Sequence, residues 1–382
     1  MSESTQNSSV PVDSTAALAE TLGLSRWTVS RVLNGHPGVK EATRRRVVEA
    51  MARLGFQPNA MARGLRGSQT RLIGVCFQEI ETPVLARKVA TLQNQLRQEN
   101  YRAIIELTAG DPVLEEEVIR HFLAMRVDGI VLAGSTLAAA HPLVAQLRAG
   151  AAAAVAIDPA NNLPLPQVNL DREYAMELKI RHLTELGHRH FAVLGVESDP
   201  IYGSRRMQGL RKAARRHGLG FRENFQSLSL PGYDLQAYNY GYQLGREYLA
   251  LERRPTALIC LNDRIALGAS KVIQEAGVPI PGACSVIGFD NLEVTAWARP
   301  SLTTIDQQIE LMIATAVSML MQSIRVRETP AERQSIRPSL RVRESTGPAP
   351  DAPPRHGTAL AKDRPPAATI ARKKARLGPK VS

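Results

Sequence analysis

Apolar residues recur at helical spacing over the first 55 positions of the chain, then in short unbroken runs from residue 71 onward. In the first region Leu18 and Leu22 share a helix face, and Ser14 stands where it can cap that helix. The turn "LGLS" (22–25) places Gly23 where a positive φ is needed and Ser25 where a second helix begins. That helix, "SRWTVSRVLNG" (25–35), turns Val29, Val32 and Leu33 to one side and Arg26, Trp27, Ser30, Arg31 and Asn34 to the other. Either the polar side is solvated with a stray aromatic, or it lies on something anionic and flat-edged. "NGHPG" (34–38) breaks the helix. "EATRRRVVEAMARLG" (41–55) predicts a third, apolar through Val47, Val48, Met51 and Leu54 and stopped by Gly55. Two helices joined by a four-residue, Gly-containing turn, with a third in support, give the helix-turn-helix pattern.

Residues 57–71, "QPNAMARGLRGSQTR", are basic, interrupted by Gly64 and Gly67, and too weakly periodic for an independent helix; they read as a hinge. From residue 71 the pattern becomes βαβαβαβ. Strands are expected at 71–77, 101–107, 128–134 and 151–157, with helices at 84–99, 113–125 and about 140–149. The alternation then repeats, with helices at 172–186, 203–217, 235–251 and 263–276. Strands are expected at 190–196, 226–230, 256–261 and 284–289. Strand "LTTI" (302–305), helix 306–325 and a strand near 339–343 complete it. Unbroken apolar runs mark strands buried on both faces of a parallel sheet. The expected fold is an all-α head followed by an α/β core of two doubly wound lobes with a cleft between them.

Charge is concentrated at the two ends of the chain. Residues 1–70 carry 9 basic and 5 acidic side chains, 345–382 carry 8 and 2, and 71–344 carry 31 and 29. A basic head on a nearly neutral body fits an anionic polymer as partner. The Pro-, Ala- and Lys/Arg-rich segment 345–382, with "ARKKAR" at 371–376, reads as a disordered tail that either tethers DNA or merely solubilises. Cys76, Cys260 and Cys284 are scattered through apolar runs without metal spacing and read as reduced core residues. No charged-then-apolar leader and no run of membrane-span length stands out, so a cytoplasmic protein without a membrane partner is expected.

Several segments in fixed order give the chain a specific resemblance: "TVSRVLNG" (28–35), "EATRRRVVEAMARLGFQPNAMARGLR" (41–66), "LTELGHRHFAVLG" (183–195), "PTALICLNDRIALGA" (255–269), "SVIGFDN" (285–291), "LTTI" (302–305) and "LRVREST" (340–346). Over residues 14 to 346 it resembles the LacI–GalR family of bacterial transcription regulators. The resemblance implies a helix-turn-helix head (14–56), a hinge helix (57–70) and a two-lobed effector-binding and dimerisation core (71–344) resembling periplasmic sugar-binding proteins. Lobe one is expected at about 71–165 and 297–328, and lobe two at about 166–296 and 332–344. The implied protein is a homodimeric repressor that closes on a palindromic operator in double-stranded DNA, and a carbohydrate-like effector sets its grip. The runner-up is a sugar-sensing binding protein without DNA control.

The resemblance assigns Arg26 and Trp27 to the specificity-setting pair of a recognition helix, and Arg31 to a base-reading arginine. Arg26 suits guanine O6/N7, whereas Trp27, with one donor and no acceptor, suits thymine methyls or sugars. Ser25, Thr28, Ser30 and Asn34 are phosphate candidates. Packing of Trp27 on the third helix is the structural alternative. Arg44 to Arg46 read as a solvated or phosphate-facing run. In the hinge, Leu65 matches a leucine wedged into the central base step, with Asn59, Ala62 and Arg63 facing backbone or groove.

Ligands bind beyond the carboxyl ends of parallel strands. That rule and the resemblance select Arg206, Asn262 and Asp290 for the effector, with Asp158 and Tyr233 behind them. Asp263 suits helix capping as well as ligand contact and is left out of the ligand shell, and Asp171 is left to capping the helix at 172. The family's Asn-Pro-Phe-Phe-like segment is here "ETPVL" (81–85), without an aromatic. Tyr-rich "GYDLQAYNYGYQLG" (232–245) either replaces that stacking surface or is plain surface helix. No nucleophile–base set, phosphate loop or metal-ligand cluster is evident, so neither an enzyme nor a cofactor is expected.

Overall fold

The computed structural model describes residues 12, 14–33, 36–56, 69–78, 80, 82–199, 201–326 and 331–350. The head consists of α1 (Thr15–Leu22), α2 (Arg26–Leu33) and α3 (Glu41–Leu54). Ser14 accepts a hydrogen bond from the Ala17 amide, and Gly23 and Gly55 end α1 and α3 in the left-handed region at φ 60° and 64°. Leu18, Leu22, Val29, Val32, Val47, Ala50 and Phe56 form a core of their own. Val48, expected on the buried face of α3, is 55% exposed. The helical turn carries it away from Val47, and Ala50 takes the inward place.

The core begins with β1 (Leu72–Phe77), α4 (Pro83–Gln98), β2 (Arg102–Leu107), α5 (Pro112–Ala124), β3 (Gly129–Ala133), α6 (Pro142–Arg148), β4 (Ala153–Ile157) and β5 (Gln167–Leu170). There follow α7 (Arg172–Glu185), β6 (Phe191–Leu194), α8 (Gly203–Arg216), β7 (Phe225–Leu228), α9 (Tyr238–Leu249), β8 (Ala257–Cys260), α10 (Asp263–Glu275) and β9 (Ser285–Ile287). The chain closes through β10 (Thr304–Asp306), α11 (Ile309–Val326), β11 (Arg333–Ile336) and β12 (Ser339–Arg341). A six-stranded sheet in the order β11-β5-β4-β3-β1-β2 builds lobe one, and a four-stranded sheet β7-β6-β8-β9 builds lobe two. All pairings within both sheets are parallel. β10 and β12 pair antiparallel where the chain passes between the lobes.

Residues 167–170 and 333–336, assigned above to lobe two, are strands of the lobe-one sheet. They escaped notice because "QVNL" and "RQSI" are short and polar, and β11 is an exposed edge strand. The stretch 345–350, read as the start of a disordered tail, is strapped to lobe two. Ser345 is buried; its hydroxyl donates to the Val286 carbonyl at 2.6 Å and accepts from the Thr303 amide at 2.8 Å. The Ala349 amide donates to the Leu186 carbonyl. The basic segment after 350 lies outside the described residues. Finally, α11 is by itself 18 residues long and apolar enough to cross a membrane. It is an internal helix of lobe one, with Met312, Ile313, Ala316 and Leu320 fully buried and α4, β4 and β5 packed against it.

The three cysteines are buried and free. Burial pushes the Cys260 and Cys284 thiols up to about 12, consistent with inert core packing.

Candidate nucleic-acid face and effector cleft

The open face of α2 is assembled by a cap and a stacked pair. The Ser25 hydroxyl accepts from the Thr28 amide at 3.0 Å and pairs with the Thr28 hydroxyl at 2.8 Å. Arg26 is exposed, and Trp27 is 66% exposed rather than packed on α3. The Arg31 guanidinium lies over the Trp27 ring, 4.5 Å from its centroid. Gly38 makes room for it, since a Cβ there would stand 2.7 Å from Arg31 Nη2. Ser30 is half-buried on the same helix. The arginine run of α3 is not merely solvated. Arg46 donates to the Leu22 carbonyl at 2.8 Å and Arg44 to the His36 carbonyl at 2.9 Å, tying the three helices together. Asn34 and the hinge candidates Asn59, Ala62, Arg63 and Leu65 lie outside the described residues.

Between the lobes lies a cavity of about 500 Å³, and Asp158, Arg206, Tyr233, Asn262 and Asp290 all line it. The structure brings the five sequence-selected residues together but gives them different duties. Asp158, offered as a ligand contact, is committed internally: Arg172 holds both its carboxylate oxygens at 2.6 Å, and each side chain is 5% exposed. Burial alone would raise the Asp158 pKa. The Arg172 charge and its hydrogen bonds outweigh that and bring it down to about 2. Tyr202 lies under the Arg172 guanidinium, 3.7 Å from ring centroid to Cζ, and donates its hydroxyl proton to the Asp158 carbonyl at 2.6 Å.

Asn262 is likewise mostly committed. Its carbonyl caps α10 through the Ile265 amide at 2.9 Å, and its amide donates to the Leu235 carbonyl at 2.9 Å. It therefore fixes the 235–236 segment as a wall of the cavity. Arg206 pairs with Asp199 and stands 5.0 Å from the Phe289 ring centroid. Tyr233 is 40% exposed and stacks on Tyr240 with centroids 5.5 Å apart, which gives the Tyr-rich segment one face toward the cavity.

Asp290 follows β9 with φ 119° and accepts from Gln307 Nε2 at 2.6 Å. Burial raises its pKa to about 6, against the opposing pull of Gln307 and Arg206. Behind it, Asp263 is fully buried and accepts from the Thr304 hydroxyl at 2.5 Å and the Leu292 amide at 2.8 Å. Burial, reinforced by the Asp290 charge, raises Asp263 to about 8. The folded chain thus keeps a proton on Asp263 that the unfolded chain releases near pH 4. This group's contribution is fully present at acid pH and is lost as pH rises toward 8. Asp263→Asn is expected to make the fall in melting temperature between about pH 6 and 8 shallower than in the parent chain. An unchanged slope in a pH series of thermal melts would show that Asp263 is ionised throughout.

Sequence reasoning missed Lys88, Arg172, Tyr202 and Gln307, which also line the cavity. Lys88 carried a readable signal, since with Leu92 and Leu96 it repeats at i, i+4, i+8 on the buried face of α4. His188 is structural: its ring nitrogens pair with the Thr256 and Ser285 hydroxyls at 2.8 and 2.9 Å. Asp171 caps α7 through the Tyr174 amide. Among the described residues no group of His, Cys, Asp and Glu could hold a metal ion.

Residues 17–59 match the bacterial regulatory proteins, lacI family, and residues 180–346 match the periplasmic binding protein-like domain. The HTH-type transcriptional repressor PurR of Aliivibrio fischeri is 31% identical over 332 residues, covering 86% of this chain and 96% of that protein. Catabolite control protein A of Priestia megaterium is 28% identical over 333 residues, covering 86% and 98%. Among solved structures, the lac repressor dimer bound to operator and the anti-inducer ONPF superposes with a TM-score of 0.77 at 26% identity, covering 87% of this chain and 99% of that one.

Proposed function

Because the chain belongs to the LacI family of bacterial regulatory proteins, we propose that the open face of α2 reads its operator and that a ligand in the interlobe cavity sets the strength of that reading. The protein is a DNA-binding transcription regulator of the repressor type, acting as a homodimer on a palindromic site in the cytoplasm. The observation that carries the reading is the exposure of Trp27. A head whose core is complete without it holds an indole 66% in solvent, with Arg26 beside it and Arg31 laid on it. A helix N-terminus bearing an arginine, an aromatic and capping hydroxyls is what a major groove accepts.

In this reading Arg26 takes the O6/N7 edge of a guanine, Trp27 rests on thymine methyls or sugars, and Ser25, Thr28, Ser30 and Asn34 hold phosphates. The hinge carries Leu65 to the central base step, with Asn59, Ala62 and Arg63 about it. In the cavity, Asp290, Arg206 and Tyr233 meet the effector, a sugar or sugar derivative, while Asp158 and Asn262 shape the walls. Effector binding favours one relative setting of the lobes, and hence of the two heads of a dimer. Both guanidiniums of the cleft are paired with carboxylates, Arg172 with Asp158 and Arg206 with Asp199, rather than flanking a nucleophile, which speaks for a sensor rather than an enzyme.

Arg26→Ala is expected to weaken binding to an operator selected from random duplexes by about 1–3 kcal/mol and to relax one base position per half-site. Fluorescence anisotropy on selected and scrambled duplexes measures this. Equal losses on both would demote Arg26 to a phosphate contact and remove the main support for base reading by this face.

A further inference from the structure

The second turn of α4 spends a lysine on its buried face. Lys88 is 7% exposed and lines the interlobe cavity. The two cavity arginines have carboxylate partners, Arg172 with Asp158 and Arg206 with Asp199. Among the described residues nothing accepts a hydrogen bond or completes an ion pair with the Lys88 ammonium. Burial lowers its pKa, with the Asp158 charge the main opposing influence. Burying most of an unpaired lysine costs solvation even where its ammonium faces the cavity, and a leucine would fit the Lys88, Leu92, Leu96 pattern without that cost. The lysine becomes intelligible when a ligand brings the counter-charge.

The opposite lobe carries the complementary group. Asp290 accepts from the Gln307 amide but, among the described residues, forms no ion pair with Lys88 or any other cation. The charges of Arg206, Lys88 and Lys179 each favour the ionised Asp290 carboxylate. They would repel a ligand ammonium placed on Asp290, whereas a hydroxyl there can donate to the carboxylate and accept from a guanidinium. We propose that the effector is a small polyhydroxylated anion, its carboxylate or phosphate held by Lys88 and its hydroxyls placed between Asp290 and Arg206. The inference rests on the cavity being the effector site and narrows what that site takes.

The test is isothermal titration of the full-length chain at fixed ionic strength. The probes are the aldonates, uronates and phosphates of the common hexoses and pentoses, each beside its neutral parent sugar. At least one anion should bind about tenfold or more tighter than its parent, and the carboxylate and phosphate arms decide which head group applies. Lys88→Met should erase that preference while leaving affinity for the neutral parent within about twofold, and Lys88→Arg should keep it. Thermal melts and binding to a selected operator verify that both variants are folded. A neutral sugar that binds as tightly as every acid, or a preference that survives Lys88→Met, overturns the proposal but leaves the cavity as the effector site. No binding by any probe, with operator binding intact, overturns both.

Discussion

Replacing Arg172 by methionine is expected to destabilise the folded chain by about 3–5 kcal/mol. The guanidinium makes two 2.6 Å hydrogen bonds to Asp158, lies on the Tyr202 ring, and is almost completely removed from water. Without it the Asp158 carboxylate stays buried with only the Leu170 amide, 3.3 Å away, to bond it. Most of the loss comes from that stranded charge rather than from the bond itself. The sign of the pH dependence follows. In the parent chain Asp158 stays ionised down to about 2, below its unfolded value, so its contribution is present at neutral pH and fades below about pH 4. In the variant the unpaired carboxylate favours its proton, so the deficit is largest at neutral pH and shrinks on acidification. Urea melts at pH 7 and pH 4 measure both, and adding Asp158→Asn should recover part of the loss. A deficit below about 1 kcal/mol at pH 7 would mean that water reaches the pair.

Gly268→Ala carries the second large effect. In α9 and α10 the backbones approach so closely that a Cβ at Gly268 would stand 2.1 Å from the Tyr238 carbonyl oxygen. At Gly241, directly across, it would stand 2.2 Å from the Ile265 carbonyl oxygen. Both obstacles are backbone atoms, so no side chain can swing aside and the helices must separate. A loss at or above the upper end of about 1–3 kcal/mol is expected, read as a lower melting temperature. Ligand affinity should fall with it, because Asn262, which caps α10, fixes the Leu235 wall of the cavity. A normal melt would show that this seam can open without consequence.

Periodicity revealed those elements whose burial is one-sided or complete. Helix α3, with Val47 inward and Gly55 at its end, and the fully buried strands β3 and β8 were readable because apolar spacing alone defines them. β5 and β11 were not, since their place is set by hydrogen-bonding to a sheet already formed rather than by their own side chains. The same division holds in the cleft. The rule that ligands gather at strand ends found Asp290 and Asn262. It could not see that Asp158 would be claimed by Arg172, because that partner starts the helix after a strand that periodicity had missed. Nor could it see Ser345 and its neighbours returning to the Val286 edge, since a Pro-rich composition says nothing about which few residues find backbone partners.

An arginine resting on an indole has already given up much of its freedom. A free arginine side chain forfeits roughly 2 kcal/mol of rotamer entropy when it is fixed. Arg31, held over Trp27 beside Gly38, would reach DNA with part of that loss already taken, whereas Arg26 stands in solvent unsupported. A pre-set guanidinium adapts poorly to a displaced acceptor, and a loose one adapts well. The base pair under Arg31 should therefore have to sit at a fixed distance from the dyad, whereas the guanine under Arg26 should tolerate a small shift in position while still being required.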